Sequence, residues 1–242
     1  MDDIIAEYSM PAIFQIFFLF LLVLLSACQR PHVATPTPQN LTLPTVSAVT
    51  AEATLWPPGK EAAAETIIIL SGGRIAAQGV SRVAQRLAAH DFQVLWIPEP
   101  VWSDSTAQRR TRLLHDALTH LAALPQAHKT GLLLLDVPDP GCPVTADSAF
   151  AAILYVVGAE FLARCCSDTA GAAARRTALG MIVPAAVPVT ASPALLRWIK
   201  SPENLVWLAT AQTAAGVMTS HLEPVVGRKA QLFFDRYLKG KR

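Results

Sequence analysis

From residue 65 onward, short and wholly apolar runs alternate with longer stretches in which apolar residues recur every three or four positions. Ile67, Ile68, Ile69 and Leu70 form a run closed by Ser71-Gly72-Gly73. A strand covered on both faces loses the polar alternation, so this run predicts a buried parallel strand over 65–70 with a turn behind it. Val80, Val83, Ala84, Leu87 and Ala88 follow at helical spacing and predict a helix over 78–90. A strand over 92–97 is stopped by Pro98 and Pro100. Leu113, Leu114, Ala117, Leu118 and Leu121 mark the inner face of a helix over 105–124, with Ser105 as its cap. Leu132 to Leu135 predict a third buried strand, and Pro138, Pro140 and Pro143 force a loop after it. The pattern then predicts an apolar helix over 147–166, a strand over 177–183, a helix over 192–200 capped by Ser192, a strand over 204–209 and a last helix over 223–239. Upstream, residues 48–55 alternate loosely before Trp56-Pro57-Pro58-Gly59 and read as an edge strand. Strand and helix in regular succession predict an α/β fold: a three-layer sandwich, mostly parallel sheet flanked by helices. No internal repeat is present.

The amino-terminal pattern is different. Residues 13–25 are apolar except for Gln15, the length of a signal-peptide core and short for a membrane span. The run ends in Leu25-Ser26-Ala27-Cys28, which closely resembles the lipobox of bacterial lipoproteins. That resemblance implies a signal peptide over 1–27, lipid on the Cys28 thiol and cleavage just before it. Several acyl chains would hold the protein on a membrane far more firmly than one. Asp2, Asp3 and Glu7 precede the run without any Lys or Arg, a departure from the usual positive leader that a start at Met10 would remove. The alternative is an uncleaved anchor helix. Gln29 follows the cysteine where an Asp would imply retention at the inner membrane. In a Gram-negative host the resemblance therefore implies a cell-envelope protein on the outer membrane, facing the periplasm. Pro31, Pro36, Pro38 and Pro44 give residues 28–47 the character of a Pro/Thr-rich tether, leaving 48–242 as the folded domain.

Composition narrows the classes further. Half of the 242 residues are apolar, enough for a large core, and the net charge is only +2. Basic residues are scattered except for Lys239, Lys241 and Arg242, so no nucleic-acid partner is expected. The four cysteines, Cys28, Cys142, Cys165 and Cys166, lack the paired spacing of a zinc site. Adjacent Cys165 and Cys166 would strain a mutual disulfide, leaving free thiols or a bridge from Cys142 to one of them. His115, His120 and His128 are too widely spaced for a compact helical site, and His120 with Asp116 reads as a solvated helix face. No metal and no cofactor are expected: the glycines at 72, 73 and 79 miss the dinucleotide fingerprint, and no Gly-Lys-Ser/Thr occurs.

In parallel α/β sheets ligands bind beyond the carboxyl ends of the strands. Ser71, Gly72 and Gly73 lie there, just before a helix amino terminus whose amides can cradle an anion. The stretch from Thr66 through Gly73 to Pro98 resembles the part of α/β-hydrolases in which a strand ending in His-Gly-Gly is followed by a helix and a strand. Thr219-Ser220-His221-Leu222 before a helix with Phe233-Phe234 resembles the segment that carries their catalytic histidine. The resemblance spans most of 66–238 and implies His221 as a base. It departs at the nucleophile, which in that family sits on a tight strand-to-helix turn as G-x-S-x-G. Here the strand, ending at Asp136, is followed by Val137-Pro138-Asp139-Pro140-Gly141, with neither Ser nor Cys at the turn. Cys142 and Ser148 are the nearest substitutes, and Ser148 also reads as a helix start. No carboxylate follows the late strand, so His221 lacks the acid that orients a triad base. Asp136 and Asp139 read either as an acid–base or cation-binding pair or as loop caps. Three functions fit: a lipid-anchored protein with a hydrolase-like domain that binds a small ligand or an envelope protein without catalysis, a serine-type esterase using His221 and an unusual nucleophile such as Ser148, and a periplasmic-type ligand receptor.

Overall fold

The computed structural model describes residues 37–43, 51–59, 64–72, 75–98, 117, 119, 129–136, 150–156, 178–184, 205–209 and 223–240. All lie in the unit Thr35–Arg242. The other unit, Met1–Ala34, holds the apolar run and Cys28, which fall outside the described residues.

Among the described residues the elements follow in the order β1 (Gln39–Leu43), β2 (Ala51–Trp56), β3 (Glu65–Ser71), α1 (Ala77–Ala89), β4 (Phe92–Pro98), β5 (Thr130–Leu135), β6 (Ala152–Val156), β7 (Ala178–Pro184), β8 (Leu205–Ala209) and α2 (Glu223–Tyr237). The strands form one eight-stranded sheet in the order β1-β2-β4-β3-β5-β6-β7-β8. Only β2 runs against the rest, pairing antiparallel with both β1 and β4. The α/β fold class expected from the sequence is the one observed.

Burial explains why these runs became strands. Along β3 and β5 successive residues point to opposite faces. Ile67 and Ile69 are fully buried, and so are Ile68 and Leu132 between their neighbours. Both faces of the central sheet are thus covered, as parallel sheets require. On one face Ile67, Ile69, Leu133, Leu135 and Leu154 join Val80, Val83, Ala84 and Leu87 of α1 and Val226, Phe233 and Phe234 of α2 in a single core. A buried polar pair across β3 and β4 is matched: Thr66 Oγ1 donates to Gln93 Oε1 at 3.1 Å, at register partners.

Three expectations are corrected. The segment 28–47 is not tether throughout, because β1 occupies Gln39–Leu43, with Leu43 buried while Gln39, Asn40 and Thr42 face solvent. Accordingly β2 is not an edge strand but lies between β1 and β4. The apolar stretch read as a helix over 147–166 contains β6, wholly buried between β5 and β7. A continuous apolar run has no periodicity to separate the two states. The β-branched and aromatic Ile153, Tyr155 and Val156 suit a strand.

At the far end of α1 the chain turns through His90 and Asp91, the latter at φ 63°. Lys239 Nζ donates to the His90 carbonyl, lies 3.8 Å over the Phe92 ring and pairs with Asp235 at 3.8 Å. Burial lowers the His90 pKa from its ordinary 6.5; Asp235 opposes this, Arg86 and Lys239 reinforce it, and Asp91 opposes it. The unfolded chain therefore binds the proton more readily, so this contribution to stability is complete above about pH 6.5 and is lost as the pH falls toward the folded-state value. His90→Gln should flatten the decline in melting temperature between about pH 7.5 and about pH 5.5; a slope equal to the wild type would show that His90 is not its source.

Candidate active site at the tips of β3 and β5

From β3 the chain moves outward to β4 on one side, then crosses back to β5 on the other. That reversal makes the crevice above β3 and β5 the switch point at which such sheets bind ligands. Two sequence-predicted groups meet there. Ser71 is the last residue of β3, in register with Leu135 of β5 and Pro98 of β4. Gly72 N–H donates to the Leu135 carbonyl at 2.8 Å, and its own carbonyl accepts from Ile75 N–H at 3.0 Å, which turns the chain toward α1. Asp136 follows β5 directly, donating its N–H to the Val156 carbonyl at 2.9 Å.

Asp136 stands at φ 49°, in the left-handed region that costs an ordinary residue energy and is visited chiefly by Gly, Asn and Asp. Its carbonyl is pressed against Gly72: a Cβ built there would lie 2.1 Å from the Asp136 oxygen. Only a residue without a side chain fits, so the two strand tips are in backbone contact. Asp136 is 5% exposed and Ser71 3%. The strand tips thus carry two buried polar residues, one with a carboxyl and one with a hydroxyl side chain. Ser71 Oγ accepts a hydrogen bond from Trp96 Nε1 at 2.9 Å, which commits one lone pair to holding the β4 indole. Trp96 in turn tilts against Trp56, with ring centroids 6.2 Å apart.

Chemically, this corner offers a carboxylate on a strained turn, where the α/β-hydrolase pattern carries Ser or Cys. A carboxylate can accept hydrogen bonds, take up a cation or a proton, or attack carbon. Gly73, Cys142, Ser148, Asp139 and His221 lie outside the described residues, as do His115, Asp116, His120 and His128. Among the described residues no three His, Cys, Asp or Glu side chains gather as a metal cluster. Sequence reasoning missed Trp96 as a partner of Ser71. The available signal was a Trp in a buried strand, whose indole N–H needs an acceptor. It took Asp136 as the last residue of the strand, one position beyond the end of β5, and had no means to see the reversal of φ.

No family model matches the chain, and no curated protein matches it in sequence. Solved structures do resemble it. The esterase domain of a Rhodothermus marinus protein superposes with a TM-score of 0.62 at 13% identity, covering 84% of this chain and 99% of that one. A dienelactone hydrolase from Anabaena variabilis gives 0.59 at 15% identity, with 84% and 99% covered. The acylaminoacyl peptidase of Pyrococcus horikoshii gives 0.61 at 11% identity, with 92% of this chain but 44% of that longer one covered. Neighbours of such different chemistry share an architecture rather than a reaction. Together with the strand order and the single antiparallel strand, they establish that the chain has the α/β-hydrolase fold.

Proposed function

We propose that this chain is a cell-envelope lipoprotein, held on the membrane through lipid on Cys28, whose α/β-hydrolase domain works by binding rather than by serine-type hydrolysis. The observation that carries this reading is Asp136: the residue at the exit of β5 is a carboxylate, not a hydroxyl or thiol. The bound species is a small ligand or another envelope protein, taken up in the crevice lined by Ser71, Gly72 and Gly73, with the last placed there by sequence. In a Gram-negative host, Gln29 after the lipidated cysteine supports an outer-membrane position facing the periplasm.

A second reading is favoured by the backbone at Asp136, which retains a strained turn although the usual nucleophile is missing. In it the domain is a hydrolase with His221 as base and a nonstandard nucleophile, either Ser148 or the Asp136 carboxylate itself. Carboxylates do serve as covalent nucleophiles in other hydrolases.

Two experiments separate these statements. A fluorophosphonate probe should leave the purified protein unlabelled, and short-chain esters should not turn over. Labelling lost in Ser148→Ala, or turnover lost in Asp136→Asn, would establish the second reading in place of the first. Radiolabelled palmitate should enter the wild type and not Cys28→Ser; equal incorporation into both would exclude Cys28 as the lipid site.

A further inference from the structure

The exposed side of α2 has an unusual composition. Its solvent-exposed residues with described side chains are Pro224, Val225, Arg228, Leu232 and Arg236. The last four are spaced by three, four and four residues, which stacks them in one stripe along about three turns. Val225 and Leu232 are 45% and 48% exposed, and they are the only large apolar residues so exposed among those described. The stripe thus alternates apolar, Arg, apolar, Arg, without an acid or a neutral polar side chain. Arg236 lies over the Tyr237 ring at 5.5 Å, which holds its guanidinium on the helix surface.

The neighbouring helix extends this character. α1 packs beside α2, with Arg86 Nη2 reaching Gln231 Oε1 at 3.4 Å, and it contains Arg82 and Arg86 and no acid. α2 adds Arg228, Lys229 and Arg236 against Glu223 and Asp235. Five cations against two carboxylates leave a net positive charge on this pair of helices.

We propose that the α2 stripe docks the domain on an anionic lipid surface, with Val225 and Leu232 entering the headgroup boundary and Arg228 and Arg236 meeting lipid phosphates. Apolar residues flanked by long cations are what an interfacial helix presents to a bilayer. The inference rests on the lipoprotein reading in one respect. Only ten residues lie between Cys28 and Gln39, the first residue of β1. Fully extended they span roughly 40 Å, about the diameter of a domain this size. A tether of that reach keeps the surface of the domain at high effective concentration beside the bilayer, so that a weak face suffices.

The test uses the full lipidated chain reconstituted into vesicles of phosphatidylcholine alone or with about 30% phosphatidylglycerol, a composition that attracts clustered cations. Leu232→Cys, in a background with Cys142, Cys165 and Cys166 changed to serine, carries an environment-sensitive fluorophore; Glu52→Cys on β2 is the control position. The Leu232 label should shift to the blue and be quenched by brominated lipid in phosphatidylglycerol vesicles only. Combined Arg228→Glu and Arg236→Glu should abolish both effects, while the control label stays aqueous throughout. An aqueous Leu232 label on co-sedimenting protein overturns the docking face and leaves the anchor intact. A shift that persists in the double Glu variant, or that grows with protein density in phosphatidylcholine, assigns the stripe to another occupant, a second copy in the latter case. Failure of the wild type to co-sediment with vesicles overturns the anchor, and the docking geometry with it.

Discussion

Phe234→Ala is expected to destabilise the domain by about 3–5 kcal/mol, as removal of a fully buried Phe commonly does, and to lower its melting temperature by about 10 °C or more. Phe234 is completely buried on the inner side of α2. It stacks edge-on against Phe233 at 5.2 Å and Phe92 at 6.4 Å, joining α2 to the start of β4. Beneath the two rings the sheet has been left bare. A Cβ at Gly131 of β5 would lie 2.6 Å from Phe234 Cε1, and one at Gly180 of β7 the same distance from Phe233 Cε2. Two glycines within strands, a poor choice for strand stability, are here the hollows that receive two rings. The arrangement predicts coupling. Gly131→Val alone should be strongly destabilising through overpacking, yet in the Phe234→Ala background it should recover part of the loss by filling the vacated space. A double-mutant cycle showing strictly additive effects would mean that ring and hollow do not meet.

These aromatic positions also show what the sequence made legible. The spacing of Val226, Ala230, Phe233, Phe234 and Tyr237 marks α2 and its inner face, because burial of one helical stripe imposes a 3.6-residue period. The Ile and Leu runs of β3 and β5 were readable for the complementary reason, that burial on both faces removes all period. The same absence of period misled at β6, where the run between Phe150 and Val156 was assigned to a helix. At β1, Pro38 and Pro44 bracket a five-residue strand with three exposed residues, so composition outweighed a short alternation. The glycine hollows were not readable at all, since a glycine under a distant ring has no local signature.

At the candidate site the division is similar. Strand–turn–helix order located the Ser71–Gly72 turn, and the proline-rich segment after β5 indicated that the usual nucleophile had no place there. The direction of the Asp136 backbone and its contact with Gly72 arise from tertiary packing of two strands 64 positions apart in the chain. Asp is among the residues that tolerate positive φ, but nothing beside it in the chain requires that conformation. Trp96 likewise declares itself only once β3 and β4 are in register.

Gly72→Ala tests that packing directly and is expected to cost about 3 kcal/mol, the scale of a forced overpacking. The added methyl would meet the Asp136 carbonyl oxygen at 2.1 Å and its carbon at 3.0 Å. Both are backbone atoms, so no side chain can swing aside, and the tips of β3 and β5 must separate by about 1 Å to reach ordinary contact. Separation weakens the Gly72 N–H bond to Leu135, and with it the Ile75 N–H bond to Gly72 that starts the turn into α1. The loss should therefore be local before it is global. Hydrogen exchange should rise first at the amides of Gly72, Ile75 and Asp136, while amides in the middle of β3 keep their protection. Ser71→Ala is the contrasting variant: it removes only the acceptor for Trp96 Nε1 and should cost about 1 kcal/mol without loosening those amides. If Gly72→Ala instead melts with the wild type and shows unchanged exchange at the strand tips, the backbone contact that shapes the crevice does not exist. Asp136 would then have no steric reason to hold its left-handed turn.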